Sequence, residues 1–102
     1  MTMERVLQFI EENDLKVGDR VVVPKSMFEI IQHHAIYLGW LDSDYYFIEN
    51  KEGIGVRLIT AYDFFEDAGK IIRIERFMPS GGYSRSSLIN KALSLVGRRY
   101  DL

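Results

Sequence analysis

Three apolar segments separated by short polar turns occupy the middle of the chain and constrain its fold more than any other feature. The segments are residues 34–40, 45–50 and 55–59, and they are rich in aromatic and β-branched side chains, which favour strands. The intervening residues 41–44 and 50–53 are mostly short polar residues and glycine, which are typical of turns. Because turns this short join neighbouring antiparallel strands, the pattern predicts a β-meander.

Further strands are predicted on both sides of the meander. Residues 20–23 are a run of β-branched residues that ends at Pro24, because proline cannot donate a backbone hydrogen bond to a sheet. Residues 70–77 alternate between apolar and charged side chains, as a half-buried strand does. Residues 25–32 are compatible with a loop containing a helical turn or with an extended approach to the next strand.

Helical segments are predicted at both ends of the chain and after the meander. Their ranges are residues 1–14, 61–67 and 84–97, and the antiparallel strands lie between 15 and 77. A chain of 102 residues is long enough for one domain. The sequence therefore predicts a single α+β domain, residues 1–102, with a curled antiparallel sheet or small barrel flanked by N-terminal and C-terminal helices. The predicted N-caps are Thr2, Thr60 and either Ser84 or Ser86.

Composition excludes several classes of function. The chain carries 13 basic and 15 acidic residues without a basic stripe, which argues against a nucleic-acid partner. It has no cysteine, so these residues contain no disulfide, thiolate metal site or thiol nucleophile. The first twelve residues have neither a signal peptide nor a long apolar run, so we expect no transmembrane segment and a cytoplasmic location.

The adjacent pair His33 and His34 is the first candidate for chemistry. Imidazole is the usual general base for a thiol or hydroxyl because its pKa lies near neutrality. The alternative is a structural histidine satisfied by its neighbours. A metal site is disfavoured, because adjacent strand residues point to opposite faces and no second His or Cys cluster completes a ligand set. We therefore expect no metal and no cofactor.

Polar residues on the second strand of the meander are the next candidates. Glu49 lies on the strand that should pair with the histidine strand, where a carboxylate can fix the tautomer of an imidazole. The alternative is an ordinary exposed strand glutamate. Asn50 is a candidate for a turn role or for an orienting role.

Four segments, in their order along the chain, resemble the lecithin:retinol acyltransferase-like family. They are the Gly18-Asp19 turn, the histidine strand His33–Gly39, the stretch Val56–Phe65, and the helix with its Gly-x-x-Tyr ending, Ser86–Tyr100. The resemblance covers roughly residues 17–102. It implies a permuted papain-like fold and an activity towards acyl lipids or amides, with a covalent acyl-cysteine intermediate.

The resemblance also implies roles for particular residues. His33 matches the catalytic imidazole, and His34 stays a second candidate because a shift of one residue exchanges the two. Glu49 falls nearest to a second polar residue of the family, usually histidine, so the carboxylate is a departure. Tyr37 matches the tyrosine of the histidine strand and is expected to line the site, with Asn50 beside Glu49.

The larger departure from the family pattern is the missing nucleophile. Family members carry an Asn-Cys-Glu-His-like segment shortly after the tyrosine that Tyr100 matches, and this chain has no cysteine. The chain is then a piece of a longer protein, a naturally short protein or a non-catalytic descendant, and the stop at Leu102 favours a missing segment. We expect a relative of thiol acyltransferases and hydrolases that is inactive as it stands. The alternatives are a module on the same fold that binds a small ligand or a protein partner, and a generic adaptor.

Overall fold

The computed structural model describes residues 2–24, 32–51, 53–68, 70–71, 73–78 and 84–98. The α+β class predicted from the sequence is confirmed, with a helix near each end and a third after the meander. Most of the ambiguous segment 25–32 and of the predicted loop 78–83 lies outside the described residues. The described elements are α1 (Met3–Glu12), β1 (Arg20–Pro24), β2 (Gln32–Leu41), β3 (Asp44–Lys51), β4 (Gly55–Thr60), α2 (Ala61–Ala68), β5 (Arg73–Glu75) and α3 (Arg85–Leu95).

The strands form one antiparallel sheet in the order β4-β3-β2-β1-β5. Strands β2, β3 and β4 are the predicted meander. Strand β1 lies between β2 and β5, so the order along the sheet is linear, with β4 and β5 at its edges. Of the two predicted forms, the described strands adopt the curled sheet and not the closed barrel. Strand β5 spans only residues 73–75 of the predicted 70–77.

Helices α1 and α2 begin at the threonines that the sequence predicts. The Thr2 side chain accepts a hydrogen bond from the backbone N–H of Arg5 at 3.3 Å. The Thr60 side chain accepts from the backbone N–H of Asp63 at 3.2 Å. Each oxygen satisfies a backbone donor that has no partner within the helix.

Helices α1 and α2 cover one face of the sheet and enclose the larger core. Phe47 of β3 is fully buried at its centre. Its ring stacks on Phe64 of α2 at 4.5 Å between centroids and meets Phe65 edge-on at 5.6 Å. Val6 brings α1 into the same cluster with no exposed surface. Aromatic packing of this kind supplies much of the apolar burial in a small domain.

Helix α3 covers the opposite face and buries less. Its Ala92 packs with Leu38 and Ile48 of the sheet in a second, smaller cluster. Leu93 and Val96 are apolar but do not join this cluster, and both are 42% exposed. Leu93 lies on a different side of the helix from Ala92 because successive helical residues are separated by about 100°. Val96 lies beyond the helix, with an extended ψ of 134°.

The N-terminal end of α3 is tied to the sheet through a buried carboxylate, Asp19, which is 1% exposed. Asp19 accepts from the backbone N–H groups of Lys16 at 2.9 Å and Phe77 at 3.0 Å, and from Arg76 Nη1 at 2.8 Å. Arg85, the first residue of α3, places Nη1 3.7 Å from Asp19 Oδ1. One carboxylate therefore joins the start of β1, the end of β5 and the start of α3.

The C-terminal end of α3 is tied to the edge of the sheet. Gly97 donates its backbone N–H to the carbonyl of Val56 at 2.8 Å, and Val56 donates to the carbonyl of Arg98 at 2.8 Å. These two hydrogen bonds satisfy backbone groups on the outer side of β4, which would otherwise present an open edge. Helix α3 is thus held across the sheet at both of its ends.

Candidate functional site

His33 and Glu49 lie side by side on β2 and β3, at the rim of the larger core. Ala35 is directly opposite Glu49 in the register, and His33 points to the same face as Ala35 because side chains alternate along a strand. His33 Nε2 lies 2.8 Å from Glu49 Oε1. The histidine side chain is 23% exposed and the glutamate side chain 4%. The imidazole therefore reaches solvent while its anchor is buried.

Arg57 is the third member of the arrangement. It lies opposite Glu49 on β4, and its Nε donates to Glu49 Oε2 at 2.7 Å. The two carboxylate oxygens are thus used separately, one by the imidazole and one by the guanidinium. Sequence reasoning missed Arg57, although the short turn after β3 places a β4 residue beside Glu49.

The electrostatics keep Glu49 ionised. Burial acts to raise the pKa of Glu49, but the hydrogen bonds from His33 and Arg57 outweigh burial and hold the pKa below its ordinary value. An ionised carboxylate only accepts hydrogen bonds, so the hydrogen between the two side chains belongs to His33 Nε2. In the neutral imidazole this leaves Nδ1 as the nitrogen with a free lone pair. Glu49 thus sets the tautomer and the orientation of the His33 ring.

His34 occupies the opposite face of the sheet, as expected of the residue adjacent to His33. It lies near Arg20 of β1 and beside the helix α3. Partial burial, followed by the positive charge of Arg20, lowers the pKa of His34 below 6.5. The structure therefore brings Glu49 together with His33 and not with His34.

The two residues expected to bind ligand lie in different surroundings. Tyr37 is 4% exposed, and its ring packs on Phe47 with 5.3 Å between centroids. Burial raises the pKa of the Tyr37 phenol to about 12. Asn50 is exposed and shares with His34 the face that α3 covers. Tyr37 thus lies within the core on the His33 side, whereas Asn50 lies on the other side of the sheet.

The serines at the start of α3 cap the helix. Ser84 is the N-cap: its side chain accepts from the backbone N–H of Ser87 at 3.1 Å, and Ser87 Oγ accepts from the Ser84 N–H at 2.9 Å. This reciprocal pair is a capping box and selects Ser84 over Ser86. Across the described ranges, no three His, Cys, Asp or Glu side chains group in a way that would hold a metal ion.

Comparisons of the chain with protein-family models, curated proteins and solved structures find no match. No helix among the described residues is long and apolar enough to cross a membrane. The function must therefore be inferred from the geometry around His33 and from the four sequence segments described above.

Proposed function

We propose that the chain is a lecithin:retinol acyltransferase-like domain that carries the base of a thiol acyl-transfer or hydrolysis site for acyl lipids or amides. The single observation behind the proposal is the 2.8 Å contact between His33 Nε2 and the buried carboxylate of Glu49. The 102 residues contain no cysteine, so we expect them to be inactive without an added nucleophile.

The contact supports the proposal because a general base needs a fixed tautomer and a fixed ring. Glu49 holds the hydrogen on Nε2 and, through its second oxygen, is itself held by Arg57 at 2.7 Å. A carboxylate in this position also stabilises the imidazolium that forms when the base takes a proton. A histidine that served packing alone would not require a buried carboxylate, itself held by a second hydrogen bond, to orient its ring.

The proposed reaction uses His33 Nδ1 in both half-reactions, first as base and then as acid. Nδ1 first takes the S–H proton of a thiol, and the resulting thiolate attacks the carbonyl carbon of an ester or amide. The imidazolium then gives the proton to the departing alcohol or amine, so that a thioester and a neutral imidazole remain. In the second half-reaction Nδ1 takes a proton from water or a second acceptor, whose oxygen or nitrogen attacks the carbonyl carbon of the thioester. The C–S bond breaks, and the imidazolium returns the proton to the departing thiolate.

A small added thiol tests the proposal on the protein as it stands. The 102-residue chain is mixed with 2-mercaptoethanol and p-nitrophenyl butyrate, and the transfer of the butyryl group to the thiol is followed. We expect a rate above that of thiol and ester alone, because His33 deprotonates the bound thiol. His33→Gln should bring the rate back to this background.

His34→Gln is the matched control, since it removes a histidine from the opposite face and should keep the acceleration. Equal rates for the parent protein and His33→Gln would reject the proposed base. Equal losses in the two histidine variants would also reject it, because the effect would then not depend on the contact with Glu49.

The alternative is a non-catalytic module that binds a small ligand or a protein on the same fold. The observation that favours it is the partly exposed His33 in a chain that contains no thiol. This alternative predicts no acceleration of the added thiol, but a saturable shift of the His33 NMR signals with an acyl lipid, an amide or a partner protein. Acceleration that depends on His33 would decide against it.

A further inference from the structure

A groove of about 340 Å³ lies between α3 and the sheet, on the face opposite to His33. Helix α3, which forms one side of the groove, is fixed at its ends through Arg85 and Gly97 and buries Ala92 between them. The volume falls within the range of small-molecule sites.

The walls of the groove are aliphatic. Ile36 and Ile48 form the sheet side, Leu88 and Leu95 form the helix side, and Val56 closes the edge at β4. Removing an alkyl chain from water against such a surface is favourable by about 25 cal/mol per Å² of buried apolar area. These aliphatic walls thus favour an aliphatic body, and Asn50 is the polar residue that lines the groove beside them.

The rim of the groove is polar and carries positive charge. Arg20 and His34 lie on the sheet side and Lys91 on the helix side. Within the described parts of the chain, no carboxylate is paired with Lys91. This rim attracts an anion by charge complementarity and offers it hydrogen-bond donors from both sides.

Two carboxylates near the rim do not cancel this charge. Glu75 lies 3.5 Å from Arg20 and 2.7 Å from Arg73, so one carboxylate is shared by two guanidinium groups. Glu49 borders the groove, but strand alternation sends its carboxylate to the opposite face, where it contacts His33 and Arg57. A bound anion would therefore meet an excess of positive charge.

We propose that this groove binds a medium-chain alkyl carboxylate, with the chain between α3 and the sheet and the carboxylate between Arg20 and Lys91. The site is separate from the proposed acyl-transfer site, because the sheet lies between the groove and His33. The ligand is bound without reacting. The inference does not rest on the proposed function and stands if His33 proves to have no catalytic role.

The test compares three ligands with the same ten-carbon chain: decanoate, decanol and decyltrimethylammonium, each below its aggregation concentration. Binding to the full chain is followed by NMR at the side chains of His34 and His33. We expect saturable shifts at His34 with decanoate, weaker binding of decanol and the weakest binding of the cation. Shifts confined to His33, no saturation, or equal affinities for decanoate and decanol would overturn the proposal.

Lys91→Gln and Asn90→Asp are matched variants, since each makes the net charge more negative by one unit on α3. Asn90 is exposed and does not line the groove. Lys91→Gln should weaken decanoate binding about 1.5-fold to fivefold, the range of an exposed charge pair, and leave decanol binding unchanged. An equal loss in Asn90→Asp would show a general charge effect and would overturn the assignment of the carboxylate to Lys91.

Discussion

His33 on β2 and Glu49 on β3 are joined by a contact of 2.8 Å between Nε2 and Oε1. The glutamate side chain is 4% exposed, and its other oxygen accepts from Arg57 at 2.7 Å. The buried carboxylate of Glu49 therefore binds two side chains, His33 through one oxygen and Arg57 through the other. It gives the imidazole a fixed orientation and makes the carboxylate important for stability.

The first prediction concerns the stability contributed by this carboxylate. Glu49→Gln should lower the free energy of unfolding by about 2 kcal/mol, because removing the charge leaves a partly buried arginine without its ionic partner. Urea unfolding at pH 7 measures the loss. The same variant should abolish the acceleration by added thiol, since an amide no longer selects the tautomer of His33.

Glu75→Gln provides the control for this loss. Glu75 also accepts from an arginine, Arg73, at 2.7 Å, but its side chain is 39% exposed. An exposed ion pair adds little to stability because water and salt screen it, so Glu75→Gln should stay close to the parent protein. If the two variants lose the same stability, burial of Glu49 is not the source of the effect.

The second prediction concerns Asp19 and acid. Burial acts to raise the pKa of Asp19, but hydrogen bonds from Phe77, Lys16 and Arg76 outweigh it and lower the pKa below 3.8. A carboxyl with a lowered folded-state pKa stabilises the protein fully above its unfolded-state pKa and loses that contribution as the pH falls through the folded-state value. Asp19→Asn should therefore be less stable by about 2–3 kcal/mol at pH 7, and the difference should shrink below pH 3.8.

Asp67→Asn tests whether this pH dependence is particular to Asp19. Asp67 pairs with Lys51 at 3.2 Å, but its side chain is 69% exposed. The stability of Asp67→Asn should therefore stay close to that of the parent protein at every pH measured. Urea midpoints measured from pH 7 to pH 2.5 give both curves. A constant difference between Asp19→Asn and the parent would contradict the assigned linkage.

The third prediction uses His34 as a sensor of charge at the groove. Partial burial and then the charge of Arg20 lower the pKa of His34 below 6.5, against an opposing effect of Glu75. Arg20→Gln should raise this pKa towards its ordinary value, which an NMR titration measures directly. Arg5→Gln, a change on the helix of the opposite face, is the control and should leave the His34 titration unchanged. A lower pKa in Arg20→Gln would contradict the assigned cause.

The local part of the site was accessible from the sequence. The turn at Asp42 makes β2 and β3 neighbours, so the proximity of Glu49 to the histidine strand follows from turn length and strand pairing. The choice between His33 and His34 did not follow, because it depends on the register. That register includes a shift between Tyr37 and Gly39, which inserts a residue into one strand. Gly39, with a φ of +79°, is a residue type typical of such a bulge, but its presence alone does not tell which residues of β3 pair with which residues of β2.

The non-local part was not accessible. Asp19 and Arg76 form an ion pair at 2.8 Å across 57 positions of sequence, and several other cations were equally plausible partners. The position of β1 between β2 and β5 could not be predicted for the same reason, because it also depends on pairing between distant segments. Pairing between distant segments is decided by the packing of the whole core and not by the propensity of either segment.

The fourth prediction concerns Gly18, where backbone conformation and packing act together. Its φ is +98°, and a Cβ at this position would lie 2.8 Å from the side chains of Leu88 and Phe77. Gly18→Ala should cost about 1 kcal/mol of backbone strain and a further 1–3 kcal/mol for displacing packed side chains. Thermal and urea unfolding measure the total.

Gly53→Ala separates the two costs. Gly53 has a φ of +83°, and a Cβ at this position would have no neighbouring atom within 4 Å, so this variant should show the backbone strain alone. Gly18→Ala should exceed it by the cost of moving Leu88, which belongs to α3, and Phe77, whose carbonyl accepts from Arg85. Equal losses of stability in the two variants would mean that Leu88 and α3 move aside without a loss of free energy. The groove beneath α3 would then lack the fixed walls that ligand binding needs.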